Sequence, residues 1–141
     1  MKVVKTAVEI KHGLKDNLEL GNLQVCRDWG FAGDYVKAMW MMLQHKEPDD
    51  FVIATGITRN VLGLVQTTFE LLGLDYNKYL TINPKYIRPD ELYNLKGDYS
   101  KAYNILGWEP EVSFEEMIQD MIDSCEKKFN ANTKTKNIHM A

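Results

Sequence analysis

The tetrapeptide Ser113-Phe114-Glu115-Glu116 constrains the fold of this chain more than any other feature. Ser113 and Glu116 stand at the spacing that lets a serine cap an amide of the first helical turn while the glutamate reaches back to the serine N–H. Behind them, Phe114, Met117, Ile118, Met121, Ile122 and Cys125 recur at helical steps and line one face with apolar side chains. The pattern predicts an amphipathic helix from about Phe114 to Lys128. Such a helix needs a core to lie against. With 45% apolar residues among 141, the chain buries roughly two thirds of its unfolded surface, enough for one domain or part of one.

The rest of the sequence alternates helices with short strands. Val3, Val4, Ala7, Val8 and Ile10 form a helical stripe over residues 2–12 that Gly13 stops. "LELGNL" reads as a strand. Asp34 is placed to cap a helix through "YVKAMWMMLQ", which is apolar around much of its circumference and is expected to pack deeply. "EPDDFVIATG" reads as a turn and a short buried strand. Thr58 or Asn60 caps "VLGLVQTTFELLG", closed by Gly73, and a strand in "KYLTINPKY" ends at Pro84. Pro89 holds Ile87 and Arg88 extended. Asp98 caps "YSKAYNIL", which stops at Gly107. The tail "NANTKTKNIHMA" lacks an apolar period, so residues 130–141 are expected to be disordered. The predicted class is α/β, helices with a few short strands.

Several function classes fall away. Seventeen basic and twenty acidic residues, net charge −3, give no basic stripe for nucleic acid. Cys26 and Cys125 lie far apart without metal-ligand spacing, so neither a metal site nor a disulfide scaffold is expected. No continuous apolar segment suits a signal peptide or a membrane span, and a soluble cytoplasmic protein is expected. Neither G-x-G-x-x-G nor G-x-x-x-x-G-K-[ST] occurs, nor Tyr-x-x-x-Lys, G-x-S-x-G or H-E-x-x-H. No catalytic set and no cofactor site of its own are therefore expected. His12, His45 and His139 fall at a polar helix position, a helix end and the tail, and are read as solvated.

Two arginines remain. Arg27 lies between a strand and a helix with Asp28 and Trp29 beside it, and Arg88 is fixed by Pro89 with Asp90 and Glu91 just after. Two planar guanidinium forks from different segments suit a diphosphate. On pattern alone the favoured reading is that each arginine pairs with a neighbouring carboxylate and fastens a loop. Trp29 and Trp108 read as core or interface aromatics.

The blocks "LGNLQVCRDWGFAGDYVKAMWMMLQHKEPDDFVIATG", "INPKYIRPDEL" and "GDYSKAYNILGWEPEVSFEEMI", with "KVVKTAVEIKHGL" more weakly, resemble the GDP-mannose 4,6-dehydratases of the extended short-chain dehydrogenase group, over about residues 2–125. The resemblance implies the C-terminal substrate-binding part of such an enzyme, with the Rossmann part absent. Residues 1–129 would be the GDP-sugar-binding portion. The complete family enzyme converts GDP-mannose to GDP-4-keto-6-deoxymannose with a tightly held NADP. By position, Arg27 and Arg88 would hold the diphosphate and Asp28 would orient its segment. Gly21 and Asn22 would lie along the nucleotide, Glu91 would accept from ribose hydroxyls, and Lys2 would sit near the guanosine end. Gln24, Val25 and Cys26 stand where the family is more polar, and Tyr93 where an aspartate is common; both arginines stay in place. One reading of the resemblance is a half of a split enzyme that works with a separate Rossmann chain and is inactive alone. The alternatives are a non-catalytic nucleotide-sugar-binding or homo-oligomerisation module, or a truncated relic with exposed strand edges and helix faces.

Overall fold

A computed structural model of the protein describes residues 1–89 and 91–138. Among these the chain is α/β, with five α-helices and five strands of two or three residues. It divides into two units, residues 1–21, 64–87 and 118–141, and residues 22–63 and 88–117.

The first unit is built on apolar periodicity. Helix α1 (Lys2–Lys11) buries Val3, Val4, Ala7, Val8 and Ile10, the stripe its sequence predicts. It ends where Gly13 takes φ +70°, so that Gly13 N–H reaches the Ile10 carbonyl (2.9 Å) and Leu14 N–H that of Glu9 (2.8 Å). That pair of bonds satisfies carbonyls the helix end would otherwise leave bare. Helix α3 (Val61–Leu71) closes in the same way at Gly73. Strand β1 (Leu18–Leu20) pairs in parallel with β4 (Leu80–Ile82), Leu18 opposite Leu80. Val3, Ala7, Ile10, Leu18, Val65 and Phe69 form one buried cluster. Helix α5 (Phe114–Ile138) buries Ile118 and Ile122 here. It runs past Lys128, where the apolar period ends, because no glycine or proline follows to stop it. Of the tail expected to be disordered, residues 130–138 are helical and 139–141, His139 included, lie outside the described residues.

His12 departs from the expectation of a solvated ring. It lies 2.6 Å from the Glu126 carboxylate and stacks on Phe129 with ring centroids 4.0 Å apart. The partners come from 114 and 117 residues further on, beyond what helical position alone reveals. The His12 bond, with a second from Lys11, holds the Glu126 carboxyl below its usual range.

In the second unit β2 (Cys26–Asp28) is the central strand, antiparallel to β3 (Thr58–Asn60) and parallel to β5 (Asn94–Leu95). Helix α2 (Ala32–Gln44) packs Ala38 against Ala102 of α4 (Ser100–Leu106) and against Trp108. Two caps fall as predicted. Asn60 Oδ1 accepts from Gly63 N–H (2.7 Å), and Ser113 and Glu116 exchange the reciprocal bonds of a capping box. Asp98 accepts from Ser100 N–H at the start of α4.

Three expectations fail in this unit. Asp34 does not cap α2: the helix begins two residues earlier, and the buried Asp34 carboxylate accepts from Glu111 and Val112 N–H, both at 3.0 Å. Its carbonyl takes the Trp108 indole N–H at 2.9 Å, which buries that ring. Helix α2 is not deeply packed, since only Asp34 and Ala38 are buried along it. The segment "FVIA" is not a strand, because no neighbouring backbone pairs with it. No helix among the described residues is long and apolar enough to cross a membrane.

Candidate functional site

Strand β2 places the residues that matter most. Successive side chains on a strand alternate faces, so Arg27 points away from the face that carries Cys26 and Asp28. Arg27 is half-buried, and its Nη1 donates to the carbonyls of Cys26 (2.7 Å) and Leu92 (2.8 Å). Nη2 meets Glu91 Oε1 at 3.3 Å. Two carbonyls and one carboxylate therefore fix the plane of the fork before any ligand arrives.

Asp28 does for the backbone what Glu91 does for Arg27. Its Oδ1 accepts from Thr55 N–H (2.9 Å) and Thr55 Oγ1 (2.5 Å), and its Oδ2 from Gly56 N–H (2.9 Å) and Gly97 N–H (3.2 Å). Burial pushes this carboxyl up, yet the bonds from Thr55, Gly97 and Gly56 outweigh it and hold the group below its usual range. Asp28 thus gathers the loop before β3 and the loop after β5 onto the central strand. A cavity of ≈400 Å³ opens there, lined by Gly56, Lys96, Gly97, Asp98 and Tyr99.

The other expected residues are distributed unevenly. Glu91 is brought to Arg27. Arg88 is exposed and makes no hydrogen bond or ion pair with a described residue, while Asp90 beside it lies outside the described residues. Asn22 closes a local turn, its Oδ1 accepting from Gln24 N–H (2.9 Å). Lys2 and Gly21 belong to the first unit. Lys2 Nζ donates to the Glu19 carbonyl (2.7 Å) and lies 4.3 Å from the centre of the Tyr86 ring. Gly21 passes so near the Tyr86 carbonyl that an added Cβ would collide with it.

Sequence reasoning missed Arg59. Register pairs it directly with Arg27 across β2 and β3, and directly opposed residues share a face, where like charges repel. Arg59 is balanced by Glu115 (3.6 Å) and lies over the Phe114 ring (4.5 Å). The alternation of "CRD" and "TRN" carries this signal only once their pairing is known. Chemically, the second unit offers guanidinium groups matched by carboxylates, a setting for an anionic ligand. Among the described residues, no three His, Cys, Asp or Glu side chains gather as metal ligands, and both cysteines are free thiols.

Residues 1–121 match the family described as GDP-mannose 4,6 dehydratase. The chain is 49% identical to GDP-mannose 4,6 dehydratase 2 of Arabidopsis thaliana over 86% of its own length and 33% of that protein. It is 38% identical to the human GDP-mannose 4,6 dehydratase, again over 86% of the chain and 37% of the relative. The match falls on the C-terminal part of these proteins, so the chain spans little more than a third of their length. Among solved structures, RMD from Pseudomonas aeruginosa, complexed with NADPH, superposes with a TM-score of 0.81 at 19% identity, over 89% of this chain and 41% of that one. A UDP-glucose 4-epimerase from Thermotoga maritima, solved with UDP-glucose, gives 0.74 at 25% identity, over 90% and 40%.

Proposed function

The chain belongs to the GDP-mannose 4,6-dehydratase family, and from that premise we propose that it is the nucleotide-sugar-binding portion of such an enzyme, taking GDP-mannose as its ligand. The observation that carries the reading is Arg27. Its guanidinium is held by the Cys26 and Leu92 carbonyls, which orients the fork without neutralising it, while the single contact with Glu91 can be exchanged for a ligand. On binding, phosphate oxygens take Nη2 of Arg27, and Glu91 turns to the ribose hydroxyls. Arg88, exposed and extended ahead of Pro89, supplies the second fork. Asn22 lies along the nucleotide. Lys2, toward the guanosine, and Gly21 keep the roles their family positions imply, and residues 1–129 form the binding portion.

In the family reaction GDP-mannose loses one water to give GDP-4-keto-6-deoxymannose, with NADP supplying the redox chemistry. The residues of this chain do not fit that dinucleotide. The one glycine of φ > 0 in the second unit other than a helix C-cap, Gly56, leads into β3 and not into a helix, and the start of α3 is closed by Asn60. A pyrophosphate cradle needs a glycine turn opening directly onto a helix N-terminus. Cofactor and proton transfer are therefore assigned to the portion of the relatives that this chain does not match. The compartment we propose is the cytoplasm, the one expected from the sequence. The purified chain is expected to show no dehydratase activity with added NADP; product above a no-protein control would refute this.

Calorimetric titration with GDP-mannose tests the binding. Charged hydrogen bonds contribute about 1.5–3 kcal/mol each, so Arg27→Ala should weaken binding more than tenfold and Arg88→Ala by a similar factor. UDP-glucose should bind more weakly than GDP-mannose. A folded chain that gives no heat with GDP-mannose, or that binds equally well without both arginines, would end the proposal.

A further inference from the structure

The second unit holds another cavity, of ≈250 Å³, whose walls the nucleotide-sugar reading does not use. Three elements build it: Trp29 stands just past the end of β2, Arg59 lies on β3, and Phe114 and Glu115 open α5. Trp29 and Phe114 stack with ring centroids 6.0 Å apart and planes at 25°, and Ile57, 59% exposed, extends the apolar wall. Among the described residues the Trp29 indole N–H makes no hydrogen bond, whereas that of Trp108 is taken by the Asp34 carbonyl. Trp29 therefore keeps a donor to spare. Arg59 differs from Arg27 in the same sense. Two carbonyls hold the Arg27 fork, but Arg59 rests on the Phe114 ring and meets Glu115 at 3.6 Å, with side chains 40 and 53% exposed. An ion pair so open to water holds its members loosely, so both can turn to a ligand.

Glu111 lines the cavity as well, paired with Lys37. Counting that lysine, two carboxylates meet two cations, so an anion entering the cavity faces Glu111 and Glu115 and a cation faces Arg59. The start of α5 does not favour an anion either, because Ser113 and Glu116 N–H are both taken within the capping box. What the walls match is an uncharged ligand with one apolar face and several groups that both donate and accept. At ≈250 Å³ the space lies below the roughly 300–1,000 Å³ of sites for drug-sized ligands, which suits a single ring. We propose that this cavity is a binding site for a neutral pyranose, separate from the diphosphate site at Arg27. The sugar lays its C–H face on Trp29. Neighbouring hydroxyls donate to the Glu115 carboxylate and accept from the Arg59 guanidinium, two planar groups that can each serve a pair of hydroxyls. The inference rests on the cavity and not on the nucleotide-sugar reading, so the two can fail separately.

The 15N-labelled chain is titrated with D-mannose, D-glucose and D-galactose in turn, and its amide and indole N–H signals are followed by NMR. At least one hexose should move the Trp29 indole signal saturably, with a Kd of about 1–10 mM for so small a ligand, and leave those of Trp40 and Trp108 in place. Glu115→Ala, at an exposed position, should weaken that binding at least fivefold. So should Arg59→Lys, which keeps the charge over Phe114 but loses the planar fork. Retained dispersion of the other amide signals shows that each variant is folded. A methyl glycoside that binds as well as its parent assigns the site to the terminal residue of a larger sugar, and one that does not assigns it to the free hexose; either result supports the proposal. GDP added to the hexose complex should leave the Trp29 signal and the hexose affinity unchanged. Displacement of the hexose by GDP would overturn the proposal. The same holds for a folded chain that shows no saturable shift with any of the three hexoses, for undiminished affinity in both variants, and for equal shifts with the acyclic polyol sorbitol.

Discussion

Helices α1 and α2 are both amphipathic, and the chain treats them in opposite ways. Helix α1 buries six of its ten residues; α2 buries two of thirteen, though the longer helix is richer in large apolar side chains. The difference lies in what each apolar stripe finds within the chain. Val3, Ala7 and Ile10 meet Leu18, Val65 and Phe69 in their own unit. Val36, Met39, Trp40 and Leu43 meet nothing comparable. Apolar content states how much surface a helix must hide; only tertiary partners decide whether it is hidden.

The most damaging way to break the first half of the comparison is Phe69→Ala. The ring is 1% exposed among the α1 contacts, and its removal should cost about 3–5 kcal/mol. Denaturant unfolding measures this, and a loss below about 1 kcal/mol would mean that the α1 cluster is not the support it looks like.

The second unit compensates for its open helix with carboxylates. Asp34 takes two backbone amides and Asp28 takes three, with a hydroxyl besides. Asp28→Asn turns an amide group toward donors that need an acceptor and should cost about 2 kcal/mol. The pH dependence sharpens the contrast. Because the folded-state carboxyl of Asp28 titrates below its unfolded value of about 3.9, its contribution is complete above that pH. It is lost as the pH falls through the folded value. The difference in melting temperature between the wild type and Asp28→Asn should therefore shrink below pH 4. Hydrogen exchange should show residues 22–63 loosening in acid before α1 does. A gap that stays constant from pH 7 to pH 3 would remove Asp28 from this account.

The contrast also explains what the sequence could disclose. Local rules were legible: the stops at Gly13 and Gly73, the cap at Asn60 and the Ser113–Glu116 box each depend on residues within one turn. Long-range partners were not. Asp34 sits where a cap belongs, yet its partners lie 77 and 78 residues away. His12 is recruited by Glu126, and Arg59 is set beside Arg27 by a register no local pattern encodes. The apolar character of α2 is legible in its sequence, but its burial is not, because burial depends on whether the chain itself supplies a cover. Within the candidate site, Arg27, Asp28 and Glu91 were visible as unusual residue types. Their mutual arrangement, with Glu91 on Arg27 and Asp28 on the loops, depends on β2 lying between β3 and β5.

The smallest expected effect is the most informative about α2. Leu43 is the most exposed large apolar residue of the helix, at 82%, so replacing it removes almost no buried surface from this chain. Leu43→Lys should change unfolding free energy by less than about 0.5 kcal/mol, within the range of ordinary surface substitutions. A buried leucine at the same helical spacing would lose about 2–5 kcal/mol on truncation alone. The lysine also places a positive charge in the last turn of α2, where the helix dipole favours it and where no basic residue stands now, so a slight gain in stability is consistent with the same picture. A loss above about 1.5 kcal/mol in the isolated chain would mean that Leu43 is already covered in solution, by another copy or by the chain itself. The contrast between a satisfied α1 and an open α2 would then disappear.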